Sequence, residues 1–165
     1  MTLITDEIED FAAALPEGRA IFGLDLGTKT LGVAASDLRR SVASPVETIR
    51  RTKFTADATA LLALVEGRDA AGLVLGLPRN MDGSEGPRCQ STRAFARNLS
   101  KLTDLPMTFW DERLSTVAVE RTLLEADQSR KRRAEVVDKM AAAYILQGAL
   151  DRLAHLDRAP GGSGA

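Results

Sequence analysis

The first part of the chain carries short apolar stretches that follow one another closely. Residues 20–26, 31–36 and 42–49 are rich in apolar side chains and are bounded by glycine or by charged, turn-forming residues, which predicts three strands. Their connections are too short for a crossover, so we expect an antiparallel meander. At residues 5–15, apolar positions at helical spacing predict a short helix that packs on the domain.

The middle of the chain alternates helical and strand patterns. Residues 54–65 place apolar side chains at i, i+4, i+7, i+8 and i+11, which predicts a helix with one buried face. The continuous apolar run at 72–77 is typical of a strand covered on both faces. A loop at 78–88, a helix at 89–102 and a strand at 107–110 follow. Strands separated by helices in this way join a sheet in parallel fashion.

The last part of the chain is predicted to be helical. Helices are expected at residues 115–126 and 135–153, joined by a basic loop at 128–133. The predicted fold class is therefore α/β. Its five-stranded mixed sheet combines a three-strand antiparallel meander with two parallel strands, and helices flank it.

Size and composition fit one globular domain. The chain has 165 residues, of which 44% are hydrophobic and 27% charged, close to the average for globular proteins. We expect an N-terminal helical extension at 1–17, a core domain at 18–156 and a flexible C-terminal tail at 157–165. No apolar run is long enough for a membrane span. The acidic first residues and the single cysteine favour a cytoplasmic protein over a secreted one.

Charge is informative through its distribution and not through its sum. The net charge is -1, yet basic residues cluster at 39–40, 50–51 and 130–133. Such clusters can build a phosphate-binding face, although solvated surface is the ordinary alternative. Aromatic residues make up only 4%, which favours recognition of a nucleic-acid backbone over stacking on bases.

Three acids stand where a site at the edge of the sheet is expected. Asp25 ends the predicted strand at 20–26, and Glu112 follows the strand at 107–110. Ligands of open α/β sheets bind at the carboxyl ends of strands. Asp138 lies in the first turn of the last predicted helix, whose inward alanines allow a close approach to the sheet.

Each acid also has a structural interpretation. Asp25 can cap the following turn, and Asp138 can complement a helix dipole. A helix N-cap explains Asp111 better than Glu112. Taken together, the acids would form a cluster of hard oxygen ligands suited to Mg²⁺ or Mn²⁺. A zinc site of histidines and cysteines is excluded, because the chain has one of each, His155 and a single cysteine.

Basic residues next to the acids are candidates for phosphate binding. Lys29 and Arg113 each lie beside a candidate acid, and Arg113 can bind phosphate in bidentate fashion. An ion pair with the neighbouring carboxylate is the alternative for both. Contacts of the basic loop to flanking phosphates would make binding sensitive to salt. The candidates in that loop are Arg130, Lys131, Arg132 and Arg133.

Several sequence blocks, in order along the chain, resemble the motifs of the YqgF family. The resemblance covers residues from about 23 to 150. The blocks are GLDLGTK at 23–29, LGVAASD at 31–37, GLP at 76–78, NMDGS at 80–84, DERLST at 111–116, VDK at 137–139, AA at 141–142 and ILQ at 145–147.

The resemblance to this family implies an RNase H-like fold, as in Holliday-junction resolvases. It places the family's acidic triad on Asp25, Glu112 and Asp138. Family members are described as pre-16S rRNA nucleases that mature the 5′ end, and an older description is Holliday-junction resolvase. The implied mechanism is hydrolysis with two divalent ions, Mg²⁺ or Mn²⁺, held by the three carboxylates. Thr30 departs from the pattern, because this position is usually basic.

The implied partner is nucleic acid, with precursor rRNA favoured over a DNA junction. Monomer and homodimer both stay open. One alternative is a non-catalytic nucleic-acid-binding assembly factor. Another is an actin-like or sugar-kinase phosphate loop, which also begins with a strand, Asp, Gly and Thr, as at 25–28. Those ATPases need two such lobes, and this chain supplies one.

Overall fold

A single mixed sheet forms the frame of the molecule. The computed structural model describes residues 2–114 and 130–158, with side chains described at 2–114 and 138–157. The described strands lie in the order β1-β6-β5-β2-β3-β4 across the sheet. In chain order they are β1 Ile4–Thr5, β2 Ile21–Leu26, β3 Thr30–Ser36, β4 Ala43–Arg50, β5 Gly72–Leu77 and β6 Met107–Asp111.

Helices cover both faces of this sheet. Helices α2 and α3 pack with one apolar cluster, which includes Phe22 and Leu24 of β2. Helices α1 and α4 pack with the other, which includes Ile21 of β2. None of the helices described is long and apolar enough to cross a membrane. The helices are α1 Ile8–Ala14, α2 Phe54–Gly67, α3 Pro87–Leu99, a short 3₁₀ helix Glu112–Leu114 and α4 Arg130–Arg158.

The strand pairing confirms the predicted mixed sheet, with one strand added. Strands β2, β3 and β4 pair antiparallel in sequence. Strand β5 pairs parallel with β2 and with β6. The described part of the sheet has six strands and not the predicted five, because β1 joins β6 in parallel. Strand β1 has only two residues, too few to show an alternating pattern in sequence.

Two glycines let α4 approach the sheet closely. A Cβ atom at Gly23 would lie 2.6 Å from the Cβ of Leu146. At Gly32 it would lie 2.0 Å from the carbonyl oxygen of Asp138, so the position has room only for hydrogen. The close approach of the last helix that its alanines predict is therefore confirmed.

Helix ends differ most from the predictions. Residues 130–133 were predicted as a loop, but α4 already begins at Arg130 and continues to Arg158. Arginine and lysine are good helix formers, and a run of them carries no apolar period to reveal the helix. Helix α3 begins earlier than predicted, with Pro87 in its first turn, where proline is favoured. The predicted helix at 115–126 lies outside the described residues.

Candidate active site

Asp25 is a buried acid at the carboxyl end of β2. It is 3% exposed, and it lies on the face of the strand that carries Ile21 and is covered by α4. Its partner across the β2–β3 pair is Gly32. Burying a carboxylate in this way is unfavourable unless its charge is compensated. The position therefore favours a bound cation or a dense set of hydrogen bonds.

Asp138 reaches the same place from α4. The backbone of Asp138 lies over Gly32, the residue opposite Asp25. The hydroxyl of Thr30 donates a hydrogen bond to Oδ2 of Asp138. A Cβ atom at Gly27 would lie 3.8 Å from this same oxygen. The turn between β2 and β3 and the start of β3 therefore hold the Asp138 carboxylate.

Glu112 approaches from the other side of Asp25. It begins the 3₁₀ helix that follows β6, and its Oε1 atom is buried. A Cβ atom at Gly76 would lie 3.0 Å from this oxygen. The β2–β5 register pairs Leu24 with Leu75, and its next step sets Asp25 beside Gly76.

The three predicted acids thus surround two glycines at one edge of the sheet. Gly32 on one side of Asp25 contacts Asp138, and Gly76 on the other side contacts Glu112. Within residues 2–114 and 138–157, no group of three or more acidic, histidine or cysteine side chains lies close enough together to hold a metal ion. The donor set, three carboxylates around a cradle without side chains, nevertheless suits hard divalent ions.

Arg113 forms the ion pair that was the alternative to phosphate binding. Its guanidinium donates to both carboxylate oxygens of Asp111, at 2.7 Å and 3.1 Å, and to the carbonyl oxygen of Met81 at 3.3 Å. These hydrogen bonds hold the pKa of Asp111 below its usual range. Asp111 therefore serves to fix Arg113 and the end of β6, directly before Glu112.

Of the other residues predicted to bind phosphate, the structure describes the side chain of Lys29 but not those of 130–133. Lys29 is exposed in the turn between β2 and β3, at the end of the strand that carries Asp25. The side chains of the basic run 130–133 lie outside the described residues. Phosphate binding by Lys29, by Arg113 and by this run therefore stays a prediction.

Sequence reasoning missed a chain of ion pairs beside the acids. Arg79 lies 3.4 Å from Glu85 and 3.9 Å from Asp111. Arg93 donates two hydrogen bonds of 2.7 Å to Glu85 and also pairs with Asp6 at 3.0 Å. The sequence carries one signal of these ion pairs, which is the spacing between Glu85, just before α3, and Arg93 within it.

A small cleft also lies at the end of β2. Its volume is about 230 Å³, and its lining includes Gly27, Thr28, Arg51, Arg88 and Ser91. The guanidinium of Arg51 donates to the carbonyl oxygen of Gly27 and so braces the turn. The sequence shows residues 50–51 as a basic cluster, but it does not reveal that Arg51 contacts the turn at Gly27.

Comparison with known proteins relates this chain to nucleases and resolvases. A model of the family RuvX, described as Holliday junction resolvase, matches residues 19–152. The chain is 71% identical over 154 residues to a Ruegeria pomeroyi protein named "Putative pre-16S rRNA nuclease", covering 93% of this chain and 100% of that protein. It is 72% identical to a Paracoccus denitrificans protein of the same name, over 94% and 99% of the two chains.

The fold is shared with a solved resolvase. The structure of Thermus thermophilus RuvC in complex with a Holliday junction substrate matches with a TM-score of 0.52 and 10% identity, covering 82% of this chain and 96% of that one. A second structure of Thermus thermophilus RuvC matches with a TM-score of 0.51 and 11% identity, covering 82% of this chain and 97% of that one. The RNase H-like fold class predicted from sequence is thereby confirmed.

Proposed function

We propose that this chain, which belongs to the RuvX family, is a metal-dependent nuclease that hydrolyses phosphodiester bonds. RuvX, described as Holliday junction resolvase, is the YqgF family that the sequence motifs resemble. The observation that carries the proposal is the placement of Asp25, Asp138 and Glu112 around Gly32 and Gly76 at one edge of the sheet. The names of the relatives support the same activity.

The three carboxylates would hold two divalent ions, Mg²⁺ or Mn²⁺. When bound, these ions would supply Lewis-acid activation of water and would stabilise charge on the leaving oxygen. Asp25 is fixed by its strand, Asp138 is oriented by Thr30, and Glu112 is confined by Gly76. Each acid therefore comes from a separate element with its own support.

The basic groups around the acids would offset the charge of the substrate. A phosphodiester approaching three carboxylates is repelled unless cations lie nearby. Lys29 stands at the end of β2, and Arg51 and Arg88 line the neighbouring cleft. These residues, together with Arg113 and the basic run 130–133, would contact the backbone of the nucleic acid.

The favoured substrate is the 5′ region of pre-16S rRNA, in the cytoplasm where ribosomes are assembled. The high identity to relatives with that name supports this choice. A DNA four-way junction is the second candidate, supported by the description of the family and by the fold shared with RuvC.

A side-by-side cleavage assay tests the proposal. Purified protein is incubated with a pre-16S rRNA 5′ fragment and with a four-way junction, each with Mg²⁺, with Mn²⁺ or with a chelator. We expect cleavage of the RNA that needs the metal and is lost in Asp25→Asn. The control Asp104→Asn changes an exposed acid that precedes β6, at the opposite end of that strand from Glu112, and should leave cleavage intact.

The remaining outcomes are informative. Equal cleavage by Asp25→Asn and wild type would contradict the assignment of this acid. Binding of RNA without cleavage under any metal condition would support the non-catalytic assembly factor instead. Cleavage of the junction alone would assign the protein to DNA.

A further inference from the structure

The loop at residues 78–86 leaves the sheet between two of the acids. It follows β5, which lies between β2, carrying Asp25, and β6, leading to Glu112. Gly76, two residues before the loop, is in contact with the Glu112 carboxylate. A nucleic-acid strand bound across Asp25 and Glu112 would therefore meet this loop.

The loop is closed by hydrogen bonds among its own residues. The backbone N–H of Asn80 donates to the carbonyl oxygen of Ser84 at 2.9 Å, and that of Gly83 donates to Asn80 at 2.9 Å. The Ser84 hydroxyl and backbone N–H both donate to Oδ1 of Asp82, at 2.6 Å and 2.9 Å. Gly83 has a φ of 88°, which glycine adopts without strain.

Ion pairs tie the loop to the strand that leads to Glu112. Arg79 and Glu85, at the two ends of the loop, pair with each other, and Arg79 also reaches Asp111. Arg113 bridges Asp111 to the carbonyl oxygen of Met81. The loop and the position of Glu112 are consequently coupled through two arginines.

One large apolar side chain stands at the tip of this ordered loop. Met81 is 91% exposed, although the residues around it are hydrogen-bonded. The adjoining arginines turn their charge toward Asp111 and Glu85. Met81 is thus an apolar side chain beside the exposed carboxylate of Asp82, on a loop whose backbone is bound by Arg113, the residue after Glu112.

We propose that Met81 packs against a nucleobase beside the phosphodiester held at the acids, and so selects where the strand is cut. Methionine side chains insert between base steps in other nucleic-acid-binding proteins, and the polarisable sulfur interacts favourably with aromatic rings. A rigid loop limits the entropy that is lost when the contact forms. This inference rests on the proposed nuclease function.

The variant Met81→Ala tests the inference. We expect its dissociation constant for the pre-16S fragment to rise about twofold to tenfold, as one sulfur–aromatic contact implies, and its cuts, mapped on a sequencing gel, to spread from the wild-type position to neighbouring phosphodiesters. Met81→Leu keeps an apolar side chain and should retain most of the affinity. The matched control is Leu102→Ala, because Leu102 is a 55% exposed apolar residue just after α3, and it should change nothing.

A second measurement separates base contact from a structural role. With 2-aminopurine placed in turn at positions flanking the cleavage site, wild-type binding should change the fluorescence at one position, and Met81→Ala should abolish that change. Unaltered affinity and fluorescence in Met81→Ala, with wild type cleaving normally, would overturn the inference alone. Absence of both binding and cleavage in wild type would overturn the nuclease proposal as well.

Discussion

The hydroxyl of Thr30 donates a hydrogen bond to the carboxylate of Asp138, 108 positions later in the chain. Thr30 opens β3, and Asp138 lies on α4, so this bond joins the sheet to the helix that covers it. The sequence resemblance implied a basic residue at this position. In this chain the threonine binds an acid of the candidate site.

Replacing Thr30 with valine should impair metal use more than folding. The change keeps the shape of the side chain but removes the donor that supports the Asp138 carboxylate. Loss of a residue that supports a metal ligand typically lowers metal affinity by about 10–100-fold, so we expect a rise of at least roughly tenfold in the Mg²⁺ concentration needed for half-maximal cleavage. Thr30→Ser should restore the wild-type value. A metal dependence unchanged in Thr30→Val would show that the bond does not orient Asp138.

Gly32→Ala should strongly destabilise the protein. The new Cβ atom would meet the Asp138 carbonyl oxygen at 2.0 Å, and a backbone atom cannot move away as a side chain can. Such overpacking typically costs about 1–3 kcal/mol, and more where the backbone must shift. Urea unfolding, followed by the fluorescence of the single tryptophan Trp110 buried against α4, measures the effect.

The matched control for that experiment is Gly67→Ala. Gly67 ends α2, and a Cβ atom there would have no neighbour within 4 Å. Alanine should therefore stabilise the helix by up to about 1 kcal/mol. Equal stability of the two variants would mean that α4 lies farther from β3 than described.

Removing the Arg113 guanidinium should lower the stability of the fold at neutral pH but not at strongly acidic pH. Its hydrogen bonds lower the pKa of Asp111 in the folded protein. The stabilisation is therefore fully present above the ordinary carboxyl pKa of about 3.9 and is lost as the pH falls through the lowered pKa. We expect Arg113→Gln to have a lower Tm than wild type from pH 7 down to about pH 4, with the difference shrinking as the pH falls further.

The control for Arg113 is another arginine pair on the surface. Arg152 lies 3.6 Å from Glu9, and both side chains are about half exposed. Arg152→Gln should leave Tm nearly unchanged at every pH, because solvent screens such pairs. A constant Tm difference for Arg113→Gln from pH 7 to pH 3 would argue against the coupling with Asp111.

Replacing Arg93 with lysine should destabilise the fold. Its guanidinium lies 4.7 Å from the centre of the Phe109 ring while pairing with Glu85 and Asp6. Lysine cannot make the paired hydrogen bonds and the ring contact together. Arg93→Lys should lower the free energy of unfolding by roughly 1 kcal/mol. Arg97→Lys, on the exposed side of the same helix, is the control.

The strands of the sheet were predictable because their signals are local. Strand β5 matches the predicted range 72–77, since a continuous apolar run ends sharply at Pro78. Strand β2 differs from its prediction by one residue. Strand β1 escaped prediction because nothing in two residues identifies it, and it forms only where β6 offers an edge.

The candidate site was predictable in its acids but not in its supports. Asp25 lies near the end of a strand and Glu112 follows one, and topology alone brings such positions together. The roles of Gly32, Gly76 and Thr30 depend on contacts between distant parts of the chain. A glycine in a strand signals a close approach, but the sequence does not say what approaches.

The position of α4 at the far end of the chain orders events during synthesis. Asp25 and Glu112 emerge from the ribosome before Asp138, and α4 can settle on Gly23 and Gly32 only after the sheet exists. A growing or stalled chain that stops before this helix carries two of the three carboxylates. In the proposed nuclease, the metal site is therefore complete only once this helix has been made and has docked.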